Sequence, residues 1–241
     1  MRILVTNDDG INSIGLMLLV KFALRFGEVI CIAPKEEQSG KSHCIVIKDP
    51  FYIQQCDDII DGVKTYVVDS TPADCVRVAK YYLMEEFDVV FSGINNGYNL
   101  GEDILYSGTM GAATEGVLCG KKAIAFSVCR DGYKDIEKEL DKVYDLMINK
   151  KLLDIHNLWN INICSHPLGI KFTSQGNTNF NAYYDDVDKN MILSKGGPDL
   201  SLEKESYGTD VCAIYNNYIS VSPLLVDRTN YTILKQFEKN D

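Results

Sequence analysis

Long apolar runs are absent from this sequence of 241 residues. No stretch reaches the roughly 20 consecutive apolar residues of a membrane-spanning helix. No basic segment precedes an apolar one at the N-terminus either, so we expect neither a membrane partner nor a signal peptide. Basic residues are also few, because 24 Lys and Arg stand against 34 Asp and Glu, giving a net charge of −10. Nucleic acid polymers require a basic surface and are therefore not expected as partners.

Paired cysteines are the second absence. Eight cysteines are scattered along the chain, and no two of them form a Cys-x-x-Cys pair. A structural zinc site is not expected without such spacing. Most of the cysteines lie in apolar or strand-like runs, which is typical of reduced, buried thiols. We therefore expect a cytoplasmic protein without disulfides.

The first 155 residues alternate between strand-like and helix-like segments. Strands are predicted at 2–6, 28–33, 44–53, 63–69, 88–92 and 122–128, and helices at 13–26, from 71, at 108–119 and at 134–150. This alternation favours a Rossmann-like α/β/α fold of three layers with a mostly parallel sheet. We predict a single domain over 1–241, with a core at about 1–155 and an extension at 156–241.

The extension has a looser pattern. Strands are predicted at 159–164, 170–174, 211–215 and 218–222, and a terminal helix at 228–238. The segment 176–210 is polar, rich in Asn, Asp, Tyr and Gly, and poorly periodic. We expect irregular hairpins there.

Two adjacent carboxylates, Asp8 and Asp9, follow the first predicted strand. Burying them together is costly unless protons or a cation neutralise them. Hydroxyl and amide side chains follow two other strands, in the loops 39–43 and 95–99. Because ligands bind beyond the carboxyl ends of parallel strands, we expect these oxygens to meet at one edge of the sheet. Such a set suits Mg²⁺, Mn²⁺ or Ca²⁺.

A candidate phosphate site follows at Ser107-Gly108-Thr109, where a helix is predicted to begin. Free backbone N–H groups and the positive end of the helix dipole suit a phosphate group there. A cation beside such a helix end implies phosphoryl chemistry, with Asp8 or Asp9 orienting water or acting as a base. His43 is a candidate general acid that would protonate the leaving oxygen, although a loop histidine is more often a hydrogen-bonding or surface residue.

Other α/β classes fit less well. No Gly-x-Gly-x-x-Gly follows the first strand, as a dinucleotide-binding dehydrogenase requires. The strand 88–92 ends in Ser92-Gly93 rather than in the phosphorylated aspartate of a receiver module. Haloacid-dehalogenase-type phosphatases have their acids separated by one residue, whereas Asp8 and Asp9 are adjacent. A non-catalytic protein that binds nucleotide or phosphate stays open as the alternative to an enzyme.

Strings along most of the chain resemble the SurE survival-protein nucleotidases, in the order of that family. They are Ile-Leu-Val-Thr-Asn-Asp-Asp-Gly-Ile (3–11), Ala-Pro (33–34), Ser-Gly (39–40), Thr-Pro-Ala-Asp-Cys-Val (71–76), Ser-Gly-Ile-Asn (92–95), Gly-Tyr-Asn-Leu-Gly-Glu-Asp (97–103), Tyr-Ser-Gly-Thr (106–109), Thr-Asp (209–210), Ile-Ser-Val-Ser-Pro-Leu (219–224) and Asp227. The segment 97–109 carries the most specific match.

The resemblance implies a phosphatase that acts on nucleoside 5′- and 3′-monophosphates, and also on short polyphosphate in some members. It implies one divalent metal ion, Mg²⁺ or Mn²⁺, in each subunit. The metal ligands carried over are Asp8, Asp9, Ser39 and Asn95. The phosphate site carried over is Asn99, Ser107, Gly108 and Thr109, with Asp8, Asp9 and Asn99 as the expected catalytic residues.

The resemblance further implies a homodimer or homotetramer in which C-terminal segments are exchanged between subunits. Three positions depart from the family pattern. Ser70 stands where glycine is usual, Met110 where a small β-branched residue is usual, and Gln38 where arginine is common. The ligand set itself is complete, but a missing arginine removes one expected charge partner for the substrate.

Overall fold

The structure, a computed structural model, describes residues 1–134 and 136–238. The strands in this part of the chain are β1 (Arg2–Thr6), β2 (Glu28–Pro34), β3 (Ile53–Cys56), β4 (Thr65–Val68), β5 (Val89–Asn96), β6 (Lys122–Val128), β7 (Leu158–Ile163), β8 (Gly169–Phe172), β9 (Asn181–Asp188), β10 (Met191–Gly197) and β11 (Tyr218–Pro223). The α-helices are α1 (Ile14–Ala23), α2 (Pro72–Arg77), α3 (Gly108–Leu118), α4 (Ile136–Lys150), α5 (Leu152–Ile155), α6 (Asp210–Tyr215) and α7 (Tyr231–Glu238).

Nine strands form one sheet in the order β3-β4-β2-β1-β5-β6-β7-β11-β8. The strands from β4 to β7 in this order are parallel. β3 pairs antiparallel with β4, and β11 pairs antiparallel with β7. β1 lies between β2 and β5, so the chain order reverses at β1. A crevice at such a reversal, beyond the carboxyl ends of the strands, is where α/β sheets bind ligands.

Two apolar layers cover the two faces of this sheet. On one face α1 and α4 pack on the central strands, with Phe126 in edge contact with both Phe22 and Phe91. On the other face α2 and α3 pack against side chains such as Leu4, Ile32 and Val90. The predicted three-layer α/β fold is therefore confirmed.

Two of the predicted strands are wrong. Residues 211–215 lie in helix α6, because Thr209 accepts the backbone N–H of Cys212 as an N-cap and Asp210 occupies the first turn. Capping here outweighs the strand propensity of an apolar run. The predicted strand 44–53 has no regular structure before Ile53, and its Val46 N–H donates to the carboxylate of Asp74 rather than to a neighbouring strand.

The segment 176–210 contains a regular antiparallel hairpin, β9–β10, rather than irregular ones. This hairpin is not hydrogen-bonded to the main sheet and forms a two-stranded sheet of its own. The terminal helix is present as α7. Within residues 1–134 and 136–238, no helix combines the length and the apolar character that crossing a bilayer requires.

Candidate active site at the carboxyl ends of β1, β2 and β5

The four predicted metal ligands line a single cavity of about 540 Å³. Asp8 and Asp9 follow β1, Ser39 lies in the loop after β2, and Asn95 belongs to the end of β5. Thr6 of β1 pairs in register with Ser92 of β5, so the ends of the two strands lie side by side. The sheet register thus explains why residues far apart in the sequence meet here.

Asp8 is almost completely buried, with 4% of its surface exposed. Its Oδ1 accepts a short hydrogen bond from the hydroxyl of Thr109 on α3. Burial, and to a smaller extent the charge of Asp9, raises the pKa of Asp8 to about 6 against the lowering effect of the Thr109 hydroxyl and backbone N–H. A carboxylate in this state is stabilised by a neighbouring positive charge.

Asp9 is half-buried and points toward the end of β5. Its Oδ2 accepts the backbone N–H of Asn96 at 3.1 Å. Burial raises the pKa of Asp9, the Asn96 N–H lowers it, and the charge of Glu37 raises it again. Both carboxylates of the pair therefore favour protonation or a cation.

Asn95 and Ser39 bring neutral oxygens to the same cavity. The amide group of Asn95 donates to Gly97 O at 2.8 Å, which identifies the nitrogen and leaves the Oδ1 acceptor for other partners. The Ser39 hydroxyl donates to Glu37 Oε1 at 2.5 Å. Among the described residues, His, Cys, Asp and Glu alone form no cluster of three that could hold a metal ion. Any metal site at this edge thus depends on the hydroxyl and amide oxygens.

The N-terminus of α3 approaches the same carboxylate. Ser107 caps the helix, its Oγ accepting the Met110 N–H at 3.1 Å, and it lines the cavity. Gly108 lies directly against Asp8, since a Cβ at this position would stand 2.9 Å from Asp8 Cβ. Glycine is therefore required for the close approach of the helix. The Thr109 hydroxyl is directed to Asp8, so this residue orients a predicted metal ligand in addition to its predicted place at the phosphate.

Asn99 is held rigidly at the wall of the cavity. Its backbone N–H donates to Asn162 Oδ1 and its side-chain amide to Ser127 Oγ, both at 2.8 Å. Its carbonyl accepts the side-chain amides of Asn160 and Asn162. These hydrogen bonds fix the position of Asn99, since both its backbone and its side chain are held by buried partners.

His43 lies apart from these residues. Its Nε2 is 2.7 Å from Glu115 Oε2, and Glu115 also pairs with Arg77 at 3.0 Å. Burial raises the pKa of Glu115, but the hydrogen bonds from His43 and Arg77 outweigh it and lower the pKa overall. His43 lines a second cavity of about 470 Å³, not the one that contains Asp8. The structure thus does not bring the predicted general acid to the carboxylate pair.

Several residues of the cavity were not among the predicted site residues. They are Glu37, Gly40, Asn96, Tyr98, Asp103, Tyr106, Arg130, Asp131 and Phe180. Arg130 and Asp131 follow β6, so the rule that identified the ends of the other strands also applies to them. Phe180 precedes the β9–β10 hairpin and carries no sequence signal for a place near β1.

Comparison with known proteins gives a consistent result. The family model described as "Survival protein SurE" matches residues 3–182. A protein named 5'-nucleotidase SurE from Clostridium botulinum is 38% identical over 99% of this chain and 98% of its own length. A protein of the same name from Syntrophomonas wolfei is 35% identical over 100% of this chain and 94% of its own length.

A solved structure gives the same answer for the fold. The SurE protein from Aquifex aeolicus aligns with 100% of this chain and 99% of its own, with a TM-score of 0.79 and 31% sequence identity. The family match, the full-length relatives and the shared fold agree with one another, and by these criteria the chain belongs to the SurE family.

Proposed function

We propose that this chain is a phosphomonoesterase that depends on a divalent metal and hydrolyses nucleoside 5′-monophosphates to nucleoside and phosphate. Membership of the SurE family and the name 5'-nucleotidase of its relatives support the nucleotidase activity. Hydrolysis of 3′-monophosphates and of short polyphosphate is part of the proposal. The single observation that carries it is the convergence of Asp8, Asp9, Ser39 and Asn95 on one cavity beside the N-terminus of α3.

The donor set fits one Mg²⁺ or Mn²⁺ ion per subunit. Two carboxylates with raised pKa values, a hydroxyl and an amide oxygen form the hard oxygen environment that these ions prefer. Asp8, Asp9, Ser39 and Asn95 would hold the ion. When bound, such an ion polarises a phosphoryl oxygen and lowers the pKa of a coordinated water.

The residues of the chain have distinct roles in this proposal. Thr109 fixes the rotamer of Asp8, and the Asn96 N–H fixes Asp9. Gly108 lets the positive end of α3 lie next to the reacting phosphate. Asn99, locked by its network, presents its side chain to the phosphate oxygens. The general acid would be water, or His43 after a rearrangement, since His43 is paired with Glu115 in this structure.

The assembly and the compartment are also proposals. We propose a homodimer or homotetramer, supported by the exposed apolar side chains of the β9–β10 hairpin and of α7. A cytoplasmic location is supported by the eight free thiols, since a reducing compartment keeps cysteines unpaired.

The test is release of inorganic phosphate from AMP by the purified chain. We expect turnover with Mn²⁺ or Mg²⁺, loss of turnover with EDTA, and recovery when the metal is restored. A panel of 5′- and 3′-monophosphates and short polyphosphate defines the substrate range. Saturable AMP binding without phosphate release under any divalent ion would contradict the proposal and identify a non-catalytic nucleotide-binding protein.

A further inference from the structure

The cavity of the candidate site is acidic, with a single cationic side chain among its described lining residues. Its carboxylates are Asp8, Asp9, Glu37, Asp103 and Asp131, and the cation is Arg130. A phosphate monoester carries up to two negative charges at neutral pH. Even with one divalent ion bound, the carboxylates would leave the cavity negative, so an incoming phosphate meets repulsion.

The backbone around Arg130 is tied to β5, the strand that carries Asn95. Gly97 N–H donates to Val128 O at 3.1 Å, two residues before Arg130. Asp131 N–H donates to Asn96 Oδ1 at 2.7 Å, immediately after Arg130. The Tyr133 hydroxyl donates to Ile94 O at 2.9 Å. These hydrogen bonds hold the turn at a fixed place beside the cavity.

The turn itself is tight. Gly132 N–H donates to Cys129 O at 2.8 Å, which closes a turn with Arg130 at its first central position. A Cβ at Gly132 would stand 2.7 Å from the backbone oxygen of Cys129 and would also crowd Cys129 Sγ, so the glycine is needed for this compact shape. Arg130 is therefore presented from a rigid base, and its freedom is confined to its own side chain.

The guanidinium of Arg130 is available for a ligand. Arg130 is exposed, and no hydrogen bond or ion pair joins its guanidinium to another residue in the described part of the chain. Three of the other four arginines differ in this respect, since Arg2, Arg25 and Arg77 each pair with a carboxylate. The fourth, Arg228, lines the second cavity and not this one. An unpaired guanidinium at an acidic cavity is suited to an anion that enters the cavity.

We propose that Arg130 binds the phosphoryl oxygens of the substrate and is a binding residue of this site. This inference rests on the proposed function, since it names a phosphomonoester as the anion. The planar guanidinium donates two parallel hydrogen bonds to phosphate oxygens, which an ammonium group cannot reproduce. Because the contact is made to the substrate phosphate in the ground state as well as in the transition state, its removal acts mainly on KM.

The test compares Arg130→Gln and Arg130→Lys with Lys134→Gln. Lys134 is an exposed cation four residues further on that does not line this cavity, so its removal changes the net charge equally. For AMP with Mn²⁺, we expect Arg130→Gln to raise KM about tenfold and to change kcat less than about threefold. The inhibition constant of inorganic phosphate should rise by a similar factor. The KM of Arg130→Lys should lie between those of the wild type and Arg130→Gln. The KM of Lys134→Gln should stay within about twofold of the wild-type value.

Several outcomes would overturn this inference while leaving the proposed function intact. One is wild-type KM in Arg130→Gln, and another is an equal change in Lys134→Gln, which indicates long-range charge only. A third is a raised KM for AMP with unchanged inhibition by phosphate, which would mean that Arg130 contacts the nucleoside and not the phosphate. If the wild type releases no phosphate, the proposed function fails, and calorimetric titration of inorganic phosphate into the Mn²⁺-loaded variants still decides whether Arg130 binds the anion.

Discussion

The edge of the sheet at β1 and β5 and the β9–β10 hairpin differ in almost every physical respect. Asp8, Asn99 and Thr109 at the edge are buried and are held by hydrogen bonds from separate elements. Along the hairpin nearly every residue is exposed. Its large apolar side chains include Tyr183, Tyr184, Val187, Met191, Ile192 and Leu193. The edge is completed by its own chain, whereas the hairpin displays the kind of patch that a partner surface covers.

The difference shows in which region the functional residues lower the folding stability of this chain. At the edge, Asp8 is buried and the adjacent Asp9 is half-buried, although burial raises the pKa values of both carboxylates. This arrangement costs stability, which the two apolar layers of the sheet offset. The hairpin has no such strain and no core of its own, since an isolated two-stranded hairpin is marginal in water.

The largest expected effect is that of Asp8→Asn at the edge. Activity should fall by about a thousandfold or more, because a neutral amide oxygen binds a divalent ion much more weakly than a carboxylate does. Without a bound cation, the folded pKa of Asp8 is about 6 against an ordinary 3.8, so wild-type stability falls as the pH rises through this window. The variant escapes this loss and should be more stable than the wild type above about pH 6, by about 1–3 kcal/mol.

Urea denaturation with EDTA, at pH values from 4 to 8, measures that difference. The advantage of Asp8→Asn should shrink toward pH 4, and Mn²⁺ should stabilise the wild type more than the variant. Asp69→Asn is the matched control, an exposed carboxylate at the end of β4 that does not line the cavity. A variant as active as the wild type at limiting metal would remove Asp8 from the ligand set.

A smaller effect is expected from Gly108→Ala, which tests how closely α3 must approach Asp8. The added methyl would meet Asp8 Cβ at 2.9 Å and Asp8 Oδ2 at 3.0 Å, so either the helix or the carboxylate must shift. We expect kcat/KM to fall by about ten- to a hundredfold, since small displacements of reacting groups are costly. Initial-rate kinetics on AMP measure this change.

Gly116→Ala on the same helix is the control for Gly108→Ala. Its methyl would meet Val90 Cγ2 at 2.7 Å in the core rather than the site. That variant should lose stability, by about 1–3 kcal/mol, while keeping most of its activity. If both variants lose activity in proportion to stability, the close approach at Gly108 has no special role in catalysis.

The smallest effect on activity is expected in the hairpin, from Ile192→Lys. Ile192 pairs across the hairpin with Asp186, so a lysine can be accommodated without breaking β9–β10. A charge on the apolar surface should shift the assembly toward monomer, with activity changing less than about threefold. Light scattering at several protein concentrations measures the shift, with Lys189→Gln in the turn as the control. A wild type that is strictly monomeric would contradict the predicted assembly.

Much of the fold follows from patterns that are local in the sequence. The alternation of β1, α1 and β2 is visible in apolar periodicity, and the start of α2 follows from Thr71 and Pro72. The prediction failed at 211–215, where a run of strand-forming residues follows the N-cap Thr209 and forms helix α6. It failed at 44–53 because the backbone there bonds to the side chain of Asp74, a long-range contact that no local pattern reveals.

The same division applies to the site. Asp8 and Asp9 were predictable because adjacent carboxylates at the end of a buried strand require neutralisation. Phe180 and the contact between Thr109 and Asp8 were not, because both depend on how distant segments pack. His43 was a reasonable candidate by residue type, and only the packing of its loop against α3 revealed its partner Glu115.

By itself, the sequence determined the α/β class, the oxygen-rich strand ends and the membership suggested by the strings at 3–11 and 97–109. Those properties depend on residue type and local spacing, which a linear chain displays directly. Only the tertiary structure decided that Arg130 lies in the acidic cavity with no partner among residues 1–134 and 136–238, and that His43 lies outside it. Such relations arise from register and helix packing, which bring together side chains that no sequence interval connects.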